Sequence, residues 1–443
     1  MDRRGLIKGI GGAAVASAFA GWQRVHADGP VAAEGFGPLR PDPGGIFDLP
    51  EGFGYRIIAR DGETMADGLL RPARPDGMAA FPGPDGRVVL VCNHENSPED
   101  TGNGAFGSEL ERLQKAHRDR LFDAGDAGIG QGGTTTLVYD PGSGLVERQF
   151  LSLGGTERNC AGGPTPWGSW LSCEESVARA GALRTRDHGW VFDVPAQVDG
   201  GLIEAQPLTA LGRFNHEAAA VSADRAVIYM TEDRGDGLFY RALLAEPGNP
   251  AAGARLQALA LPELPRADTR NWNGSRLPVG ATRRVAWIDL ERTDAPEDDL
   301  RIRGHAAGAA LFARGEGLWA GDGAFYFACT SGGPAEMGQV FRYTPEGEGG
   351  QLELMVESDG RLLRNADNLT VAPWGDLLVC EDTDDHCGLI GVTPDGALYP
   401  FARNLYTPSE LAGACFAPDG RTLFVNIQKR GLTLAITGPF PGA

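Results

Sequence analysis

Residues 158–164 read Arg-Asn-Cys-Ala-Gly-Gly-Pro and open a segment that turns at Gly168 and ends in the carboxylate pair Glu174 and Glu175. Apolar runs on both sides of a Pro- and Gly-bearing turn are typical of a β-hairpin. The same plan recurs five more times along the chain, which predicts six hairpins. Their turn centres are Gly86, Gly168, Arg225, Gly323, Gly375 and Gly420.

Repetition of hairpins at intervals of dozens of residues is typical of a radial all-β architecture. We therefore predict an all-β fold, a six-bladed β-propeller with inserted loops and a short helix. A β-sandwich is the alternative, because it too consists of short strands and turns. β-branched and aromatic residues predict further strands between the hairpins, for example at 135–139, 189–192, 340–343 and 389–392.

Two insertions interrupt the repeats within a single predicted domain over residues 28–443. Residues 108–122 carry a capping-box pair, Ser108 and Glu111, and spaced leucines, which together predict the short helix. Residues 247–284 are rich in Pro, Gly, Arg and Asn, which predicts a long surface loop. The chain as a whole is 42% hydrophobic, and this suffices for a core in 443 residues.

Residues 1–27 have the pattern of a twin-arginine signal peptide. Arg3 and Arg4 precede a weakly apolar run rich in Ala and Gly at 9–21, and Ala27 offers a small residue for cleavage. The run is too short and too rich in Gly to span a bilayer, so no stable membrane insertion is expected. We expect a periplasmic or secreted protein that meets the twin-arginine export machinery as a partner.

The formal net charge of −19 narrows the choice of partners. Cleavage after Ala27 would remove four positive charges and one negative charge and leave −22. A charge of this size repels nucleic acid and anionic membranes, so neither is an expected partner. It is compatible with bound cations that neutralise part of it.

The acidic side chains fall at the outer ends of the predicted hairpins. Glu217 and Asp367 lie eight residues before their turn centres, and Glu316 lies seven before. A hairpin brings its two ends together and a ring brings the hairpins together, so these side chains should converge. Converging carboxylates repel one another, which favours bound cations. The acids that follow the turns are Glu95, Glu174, Glu175, Glu232, Glu381 and Asp382.

Cys160 occupies the position that Glu217 and Asp367 hold in their hairpins, among polar residues and Gly. A thiolate among carboxylates is disfavoured unless a transition metal holds it. Oxygen ligands in such number suit Ca²⁺, whereas a single thiolate among them indicates a softer or redox-capable metal. The alternative for the acids is a solvated rim on which each Glu pairs with an Arg. Cys380 and Cys387 could form a disulfide.

Several motifs resemble those of PhoX-type alkaline phosphatases. They are residues 156–175 (TERNCAGGPTPWGSWLSCEE), 212–217 (GRFNHE), 231–240 (TEDRGDGLFY), 314–317 (RGEG) and 366–369 (ADNL). The resemblance covers nearly the whole chain after residue 27, and the twin-arginine leader is also similar. It implies a six-bladed propeller, a pair of ferric ions bridged by the cysteine, accompanying calcium ions, and hydrolysis of phosphomonoesters.

The resemblance also implies roles for individual residues. Arg314 would hold the phosphate oxygens in its bidentate fork, so Arg314 and Cys160 are the candidate catalytic residues. A lysine that the family is expected to place upstream of Cys160 is missing, and Arg148 or Arg158 is the candidate for that second phosphate contact. The metal ligands would be Cys160, Glu175, Glu217, Glu316, Asp367, Glu95 and Glu174.

The implied reaction is metal-assisted phosphoryl transfer from a small phosphate ester by a monomeric enzyme. Three alternatives remain open at this point. One is a calcium-dependent lactonase or esterase on the same fold, with His94 or His216 as base. The others are a phosphodiesterase of the same family and a propeller that binds a partner without catalysis.

Overall fold

The computed structural model describes residues 30–125, 128–274 and 276–442. The leader expected over residues 1–27 lies outside the described residues. No helix in the described part of the chain is long and apolar enough to cross a membrane.

The described chain consists mainly of β-strands, with one short α-helix, α1 (Leu300–Ala307), and a few 3₁₀ turns. The strands are β1 (Leu39–Arg40), β2 (Phe47–Pro50), β3 (Gly54–Arg60), β4 (Pro75–Pro82), β5 (Val88–His94), β6 (Gly132–Asp140), β7 (Leu145–Thr156), β8 (Asn159–Pro164), β9 (Ser169–Glu174), β10 (Val191–Pro195), β11 (His216–Val221), β12 (Val227–Glu232), β13 (Phe239–Leu244), β14 (Ala254–Ala260), β15 (Thr282–Asp289), β16 (Gly315–Ala320), β17 (Phe325–Cys329), β18 (Gln339–Glu346), β19 (Gly349–Glu357), β20 (Ala366–Val371), β21 (Leu377–Glu381), β22 (Gly388–Val392), β23 (Leu398–Asn404), β24 (Leu411–Phe416), β25 (Thr422–Ile427) and β26 (Leu432–Thr437).

All six predicted hairpins are present as antiparallel pairs: β4–β5, β8–β9, β11–β12, β16–β17, β20–β21 and β24–β25. Their turn centres have φ angles from 63° to 97°. Glycine adopts this left-handed region without a Cβ clash, which explains glycine at five of the six centres. Arg225, with φ 63°, is the exception.

The first strands of these hairpins form a closed ring. Each contacts the next in the order β4, β8, β11, β16, β20, β24, and β24 returns to β4. Strand β3, early in the chain, pairs with β26 near its end, which ties the two ends of the chain into one sheet. The all-β prediction is confirmed, and the arrangement is propeller-like.

The strands belong to five sheets rather than six. Four of them have three to six strands and contain one ring strand each. The fifth has nine strands, in the order β11-β12-β13-β14-β15-β19-β18-β17-β16, because β15 pairs with both β14 and β19. Two hairpins therefore share one continuous, nearly closed sheet.

The core lies between neighbouring sheets and contains mostly branched aliphatic and aromatic side chains. Burial of this apolar surface is the main stabilising term for a fold of this kind. All seven cysteines are free thiols, Cys380 and Cys387 among them.

The structure corrects two local predictions. Residues 108–122 form turns and two short 3₁₀ segments, Leu113–Lys115 and Arg118–Arg120, instead of an α-helix. Leu110 has a φ of 56°, and the Glu111 carboxylate accepts a hydrogen bond from the Glu109 backbone N–H, so the capping box does not form. The expected loop at 247–284 contains β14 and the first residues of β15.

Candidate metal centre

Each ring strand is interrupted by a β-bulge near the end remote from its hairpin turn. A bulge re-aims the side chains at that point of the strand. In β24 the bulge contains Gly413 and Ala414, which carry no ligand atom. In the other five strands, the first residue inside the bulge carries a carboxylate or a thiol: Asp76, Cys160, Glu217, Glu316 and Asp367.

The second strands of the hairpins end beside these bulges and add further acids. Gln428 donates from Nε2 to Asp76 at 2.9 Å and to Glu95 at 3.0 Å, so these two carboxylates are neighbours. Arg314 likewise joins Asp233 and Glu316. The ring therefore has a second set of acids next to the bulge residues.

Three groups of side chains have ligand atoms within 4.8 Å of one another. The first combines the Cys160 thiol with two carboxylates, and the other two contain carboxylates alone. Glu217 belongs to two of the groups, so these two are contiguous. The groups are Cys160–Glu175–Glu217, Glu217–Glu316–Asp367 and Asp76–Glu95–Glu410.

For two of these carboxylates, hydrogen bonds from the described residues do not compensate for burial. Glu217 has no exposed surface, and neither of its carboxylate oxygens has a hydrogen-bond partner. Oδ1 of the buried Asp76 also lacks one. An ionised carboxylate buried without a partner costs more than the roughly 2–7 kcal/mol of an unpaired neutral polar group. Bound cations would remove that cost, so the residues present fit metal ions.

Burial and mutual repulsion also raise the pKa values of these groups. The pKa of Glu217 is raised well above its usual value by burial and by the charges of Glu175 and Asp367. Burial raises the pKa of Glu175 to about 8, against the effect of Arg158. It raises the pKa of Asp367 to about 7. Without cations, this end of the ring would hold protons at neutral pH.

The donor atoms differ between the groups. The Cys160 group offers one sulfur and carboxylate oxygens, a set that suits a transition metal. Burial, together with Asp76 and Glu217, raises the pKa of the Cys160 thiol, so a metal is needed to hold it as a thiolate. The Asp76 group offers oxygen alone, which suits Ca²⁺.

Two arginines lie at the edge of the cluster. Arg314 donates from Nε and Nη2 to the two oxygens of Asp233, at 2.8 and 2.9 Å. Arg158 is paired with Glu175 and with Glu95. Both arginine side chains are about two-fifths exposed, and in the described chain the Nη1 atom of each makes no hydrogen bond. Each can therefore still bind an anion from solvent.

Arg148, the other candidate for a phosphate contact, lies elsewhere. Its guanidinium donates to the carbonyls of Val198 and Gly200 at 3.1 and 3.2 Å and lies near Asp199. Of the two predicted alternatives, only Arg158 is brought to the cluster.

Glu174, predicted as a metal ligand, is not brought into the cluster. Its carboxylate accepts hydrogen bonds from Nδ1 of His188 at 2.6 Å and from the backbone N–H groups of Glu157 and Gly189, each at 3.0 Å. Successive side chains of a strand point to opposite faces, so Glu175 faces the ring and Glu174 faces away. The Glu174 carboxylate is therefore occupied by these hydrogen bonds and does not face a metal group.

The same alternation removes two further acids from the ring. Glu232 accepts a hydrogen bond from the Tyr240 hydroxyl at 2.7 Å. Glu381 pairs with Arg364 at 3.1 Å. Arg364 accounts for the charge of Glu381, whereas Oε1 of Glu232 has no hydrogen-bond partner among the described residues.

Neither histidine proposed as a base faces the cluster. His94 is fully buried between the Ala73 carbonyl and the Thr135 hydroxyl. His216 stacks on Phe214 and bonds the Gly212 carbonyl, and burial lowers its pKa to about 3. The geometry gives the lactonase alternative no base from these residues.

The sequence reasoning missed three acids, Asp76, Asp233 and Glu410, and it named Asp382 only as the neighbour of Glu381. Asp76 was missed because the first hairpin is longer, so its bulge lies ten residues before the turn centre and the eight-residue spacing selects Met78. Asp233 directly follows Glu232, so strand alternation could have found it, and the same alternation would have separated Asp382 from Glu381. Glu410 precedes β24 and carries no periodic signal.

The family model described as alkaline phosphatase PhoX matches residues 34–431. A search of curated protein sequences finds no match.

Among solved structures, the chain is similar to Pseudomonas fluorescens PhoX in complex with vanadate, a transition state analogue. The TM-score is 0.69 and the identity 19%, and the match covers 93% of this chain and 98% of that one. The gluconolactonase XC5397 from Xanthomonas campestris is also similar, with a TM-score of 0.44, 15% identity, and coverage of 91% and 98%. At these identities the likeness concerns the fold.

Proposed function

The chain belongs to the PhoX family of alkaline phosphatases, and on that premise we propose that it is an exported, metal-dependent phosphatase that hydrolyses phosphomonoesters. The observation that carries the proposal is the Glu217 carboxylate, which is fully buried without a partner between two groups of ligand atoms. Arg158 and Arg314 supply the anion-binding groups beside it. Export rests on the twin-arginine pattern of residues 1–27.

We also propose that the ring has six blades. The ring contains six first strands, and each begins one hairpin. We count six blades, of which two are joined through β15. This count places the metal groups around the mouth of one central channel.

The proposed cofactors are a ferric pair and calcium. Cys160, Glu175 and Glu217 would hold the iron, and Asp76, Glu95 and Glu410 would hold calcium, with Glu316 and Asp367 completing the set. When bound, such cations neutralise charge on phosphate oxygens and lower the pKa of a nucleophile.

The chain's own residues bind and orient the substrate. The Nη1 atoms of Arg158 and Arg314, which make no hydrogen bond in the described chain, would bind the oxygens of a phosphoryl group, and two guanidinium groups at separate points of the ring would fix its orientation. Asp233 and Glu175 hold these guanidinium groups in place through charge-assisted hydrogen bonds. No base or nucleophile from the described residues is needed for this binding step.

The site stands at the end of the ring, so the alcohol group of a large substrate can remain outside while its phosphoryl group binds. A dianionic phosphomonoester matches two cationic side chains better than a monoanionic diester. This charge argument favours monoesters over the phosphodiester alternative.

The test is an assay of the purified, metal-loaded protein at alkaline pH. We expect release of p-nitrophenol from p-nitrophenyl phosphate at least about a hundredfold faster than from bis(p-nitrophenyl) phosphate, and no hydrolysis of gluconolactone. Faster cleavage of the diester would establish the phosphodiesterase. Hydrolysis of the lactone alone would overturn the proposal.

A further inference from the structure

A pocket lies within the nine-stranded sheet, apart from the metal groups. The sheet curls until its edge strands, β11 and β16, contact each other, so it is a nearly closed barrel. A pocket with a volume of about 1060 Å³ opens at one end of this barrel, and we call it the barrel pocket. Side chains from β12 to β15 and from β17 line it, with Asp224 and Gly323 at its rim.

The barrel pocket and the metal groups lie at opposite ends of the strands. Val227, the first residue of β12, lines the pocket, whereas Glu232, the last, borders the acidic ring. Five residues of extended strand separate them by about 17 Å. A ligand in the barrel pocket would therefore not touch the metal groups.

Aromatic side chains form one wall of the barrel pocket. The rings of Tyr229 and Phe325 have centroids 4.3 Å apart, and the Trp287 ring lies 6.0 Å from that of Tyr229. The rings are tilted to one another and give this wall an aromatic, apolar lining, which favours an aromatic group of a ligand.

Arg241 places a positive charge against this wall. Its guanidinium carbon lies 4.4 Å from the centre of the Trp287 ring, and its Nε donates to Oε1 of Gln257 at 2.7 Å. The residue is only 8% exposed. Asp289 does not pair with it, because that carboxylate accepts hydrogen bonds from Arg255 and Gln257.

Within the described ranges, no carboxylate lies within ion-pair distance of Arg241. A buried cation without a counter-ion is costly, and an anion that enters the pocket would remove that cost. The other arginines that are buried to this extent, Arg71 and Arg213, lie outside the pocket lining. Arg255, the other arginine of the lining, pairs with Asp289 at 2.8 Å, so Arg241 is the lining arginine that lacks a carboxylate partner among the described residues.

We propose that the barrel pocket binds a small planar aromatic anion, a carboxylate or a sulfonate, with its charged group on Arg241 and its ring against Tyr229, Trp287 and Phe325. This site is separate from the phosphatase site and does not depend on the proposed phosphatase function. Pockets of this size and mixed lining at the mouths of β-barrels commonly bind small molecules.

The experiment uses 1-anilinonaphthalene-8-sulfonate, an aromatic sulfonate that fluoresces in apolar surroundings, with metal-loaded protein. Excitation of tryptophan should transfer energy to the bound probe, because Trp287 lines the pocket, and should reveal one saturable site. Arg241→Gln should weaken binding by at least about tenfold, because a charge-assisted hydrogen bond to a buried group is lost. Arg241→Lys, which keeps the charge, should bind with intermediate affinity.

Arg342→Gln is the matched control. It makes the same charge change on β18, where Arg342 pairs with Glu353, and it should leave probe affinity unchanged. Neither variant should alter hydrolysis of p-nitrophenyl phosphate, because both residues lie away from the metal groups. Saturating benzoate should displace the probe.

Equal affinity of wild type and a folded Arg241→Gln would overturn the proposal. So would the absence of a saturable site, or inhibition of hydrolysis by the probe to the same extent in wild type and Arg241→Gln, since the probe would then occupy the channel mouth.

Discussion

Glu174 and Glu175 are adjacent in the chain, yet their carboxylates lie on opposite sides of the end of β9. Glu174 is held by His188, fully buried, whereas Glu175 joins the Cys160 group and pairs with Arg158. The two residues share type and charge and differ only in the face of the strand. Substitution of each residue in turn therefore tests the contribution to stability separately from the contribution to function.

Glu174→Gln is expected to destabilise the fold and Glu175→Gln to lower the activity. The first change removes one of the two carboxylates that pair with the buried His188, which should cost up to about 3–5 kcal/mol and lower Tm. The second removes a side chain of the metal group, and we expect kcat/KM to fall at least about tenfold with a smaller change in Tm. Thermal unfolding and hydrolysis rates of both variants check this. Equal effects of the two changes on Tm and on rate would contradict the assignment of faces.

Arg314→Ala and Arg158→Ala are expected to weaken substrate handling. Each removes a guanidinium with a free Nη1, so kcat/KM should fall by about tenfold to a hundredfold while the metal content stays close to wild type. The matched control is Arg148→Ala, because Arg148 bonds outer-loop carbonyls and should leave the kinetics unchanged. An Arg314→Ala enzyme with wild-type kinetics would remove that residue from the site.

His188 is expected to make stability depend on alkaline pH. Burial alone would lower its pKa, but Glu174 and the hydrogen bond with Asp123 raise it to about 10. A raised histidine pKa stabilises the fold fully below about pH 6.5, and this contribution is lost as the pH rises through about 10. Wild-type Tm should therefore fall between pH 7 and 10, with metals held saturating.

His188→Gln should start from a lower Tm at pH 7 and show a flatter decline over the same range. An equal decline of Tm with pH in the wild type and in His188→Gln would show that His188 is neutral in the fold.

Calcium removal is expected to loosen the acidic ring. Without cations the carboxylates of Asp76, Glu95 and Glu410 face one another and must either take up protons or repel, by roughly 4 kcal/mol for a pair of unit charges about 4 Å apart at an effective dielectric near 20. A calcium chelator should lower Tm and abolish hydrolysis, and added calcium should restore both with increasing concentration.

Glu217→Gln should reduce both the activity and the sensitivity to the chelator, because it removes the charge shared by two groups. Glu348→Gln is the control, since Glu348 lies in the turn between β18 and β19 outside the groups, and it should behave as wild type. Wild-type melting and activity in excess chelator would show that these acids are a solvated rim.

The hairpins could be predicted because their signals are local. Each turn centre needs a left-handed backbone, which the sequence marks with Gly at five of six positions. The double pairing of β15 could not be predicted in this way. Its pairing with β19 joins residues far apart in the chain, such as Thr282 with Glu353, and no local pattern encodes such a partner.

The helix predicted at 108–122 shows the opposite failure, a local signal overridden by packing. Leu110, Leu113 and Ala116 pack against a buried cluster that contains Phe106 and Leu121. Burial of these side chains favours separate turns over a continuous helix, and tertiary packing commonly outweighs capping and propensity.

The site was predictable where a motif or a constant spacing placed a residue in a bulge, as for Cys160, Glu217 and Asp367. It was not predictable where the spacing changed, as at Asp76, or where the acid lies in a loop, as at Glu410. Alternation along β9 would have separated Glu175 from Glu174, since the faces of a strand follow from its register alone.

The central claim is that Cys160 holds a transition metal together with Glu175 and Glu217. The most direct measurement is metal analysis of the purified wild-type protein together with its visible absorption spectrum. We expect iron with calcium, and a thiolate-to-iron charge-transfer band. Cys160→Ser should lose the iron, the band and the activity and remain folded, whereas Cys415→Ala, which removes a buried thiol of the core, should keep all three. Wild-type protein that contains calcium without iron and has no visible band, or a Cys160→Ser variant that keeps iron and colour, would contradict the claim.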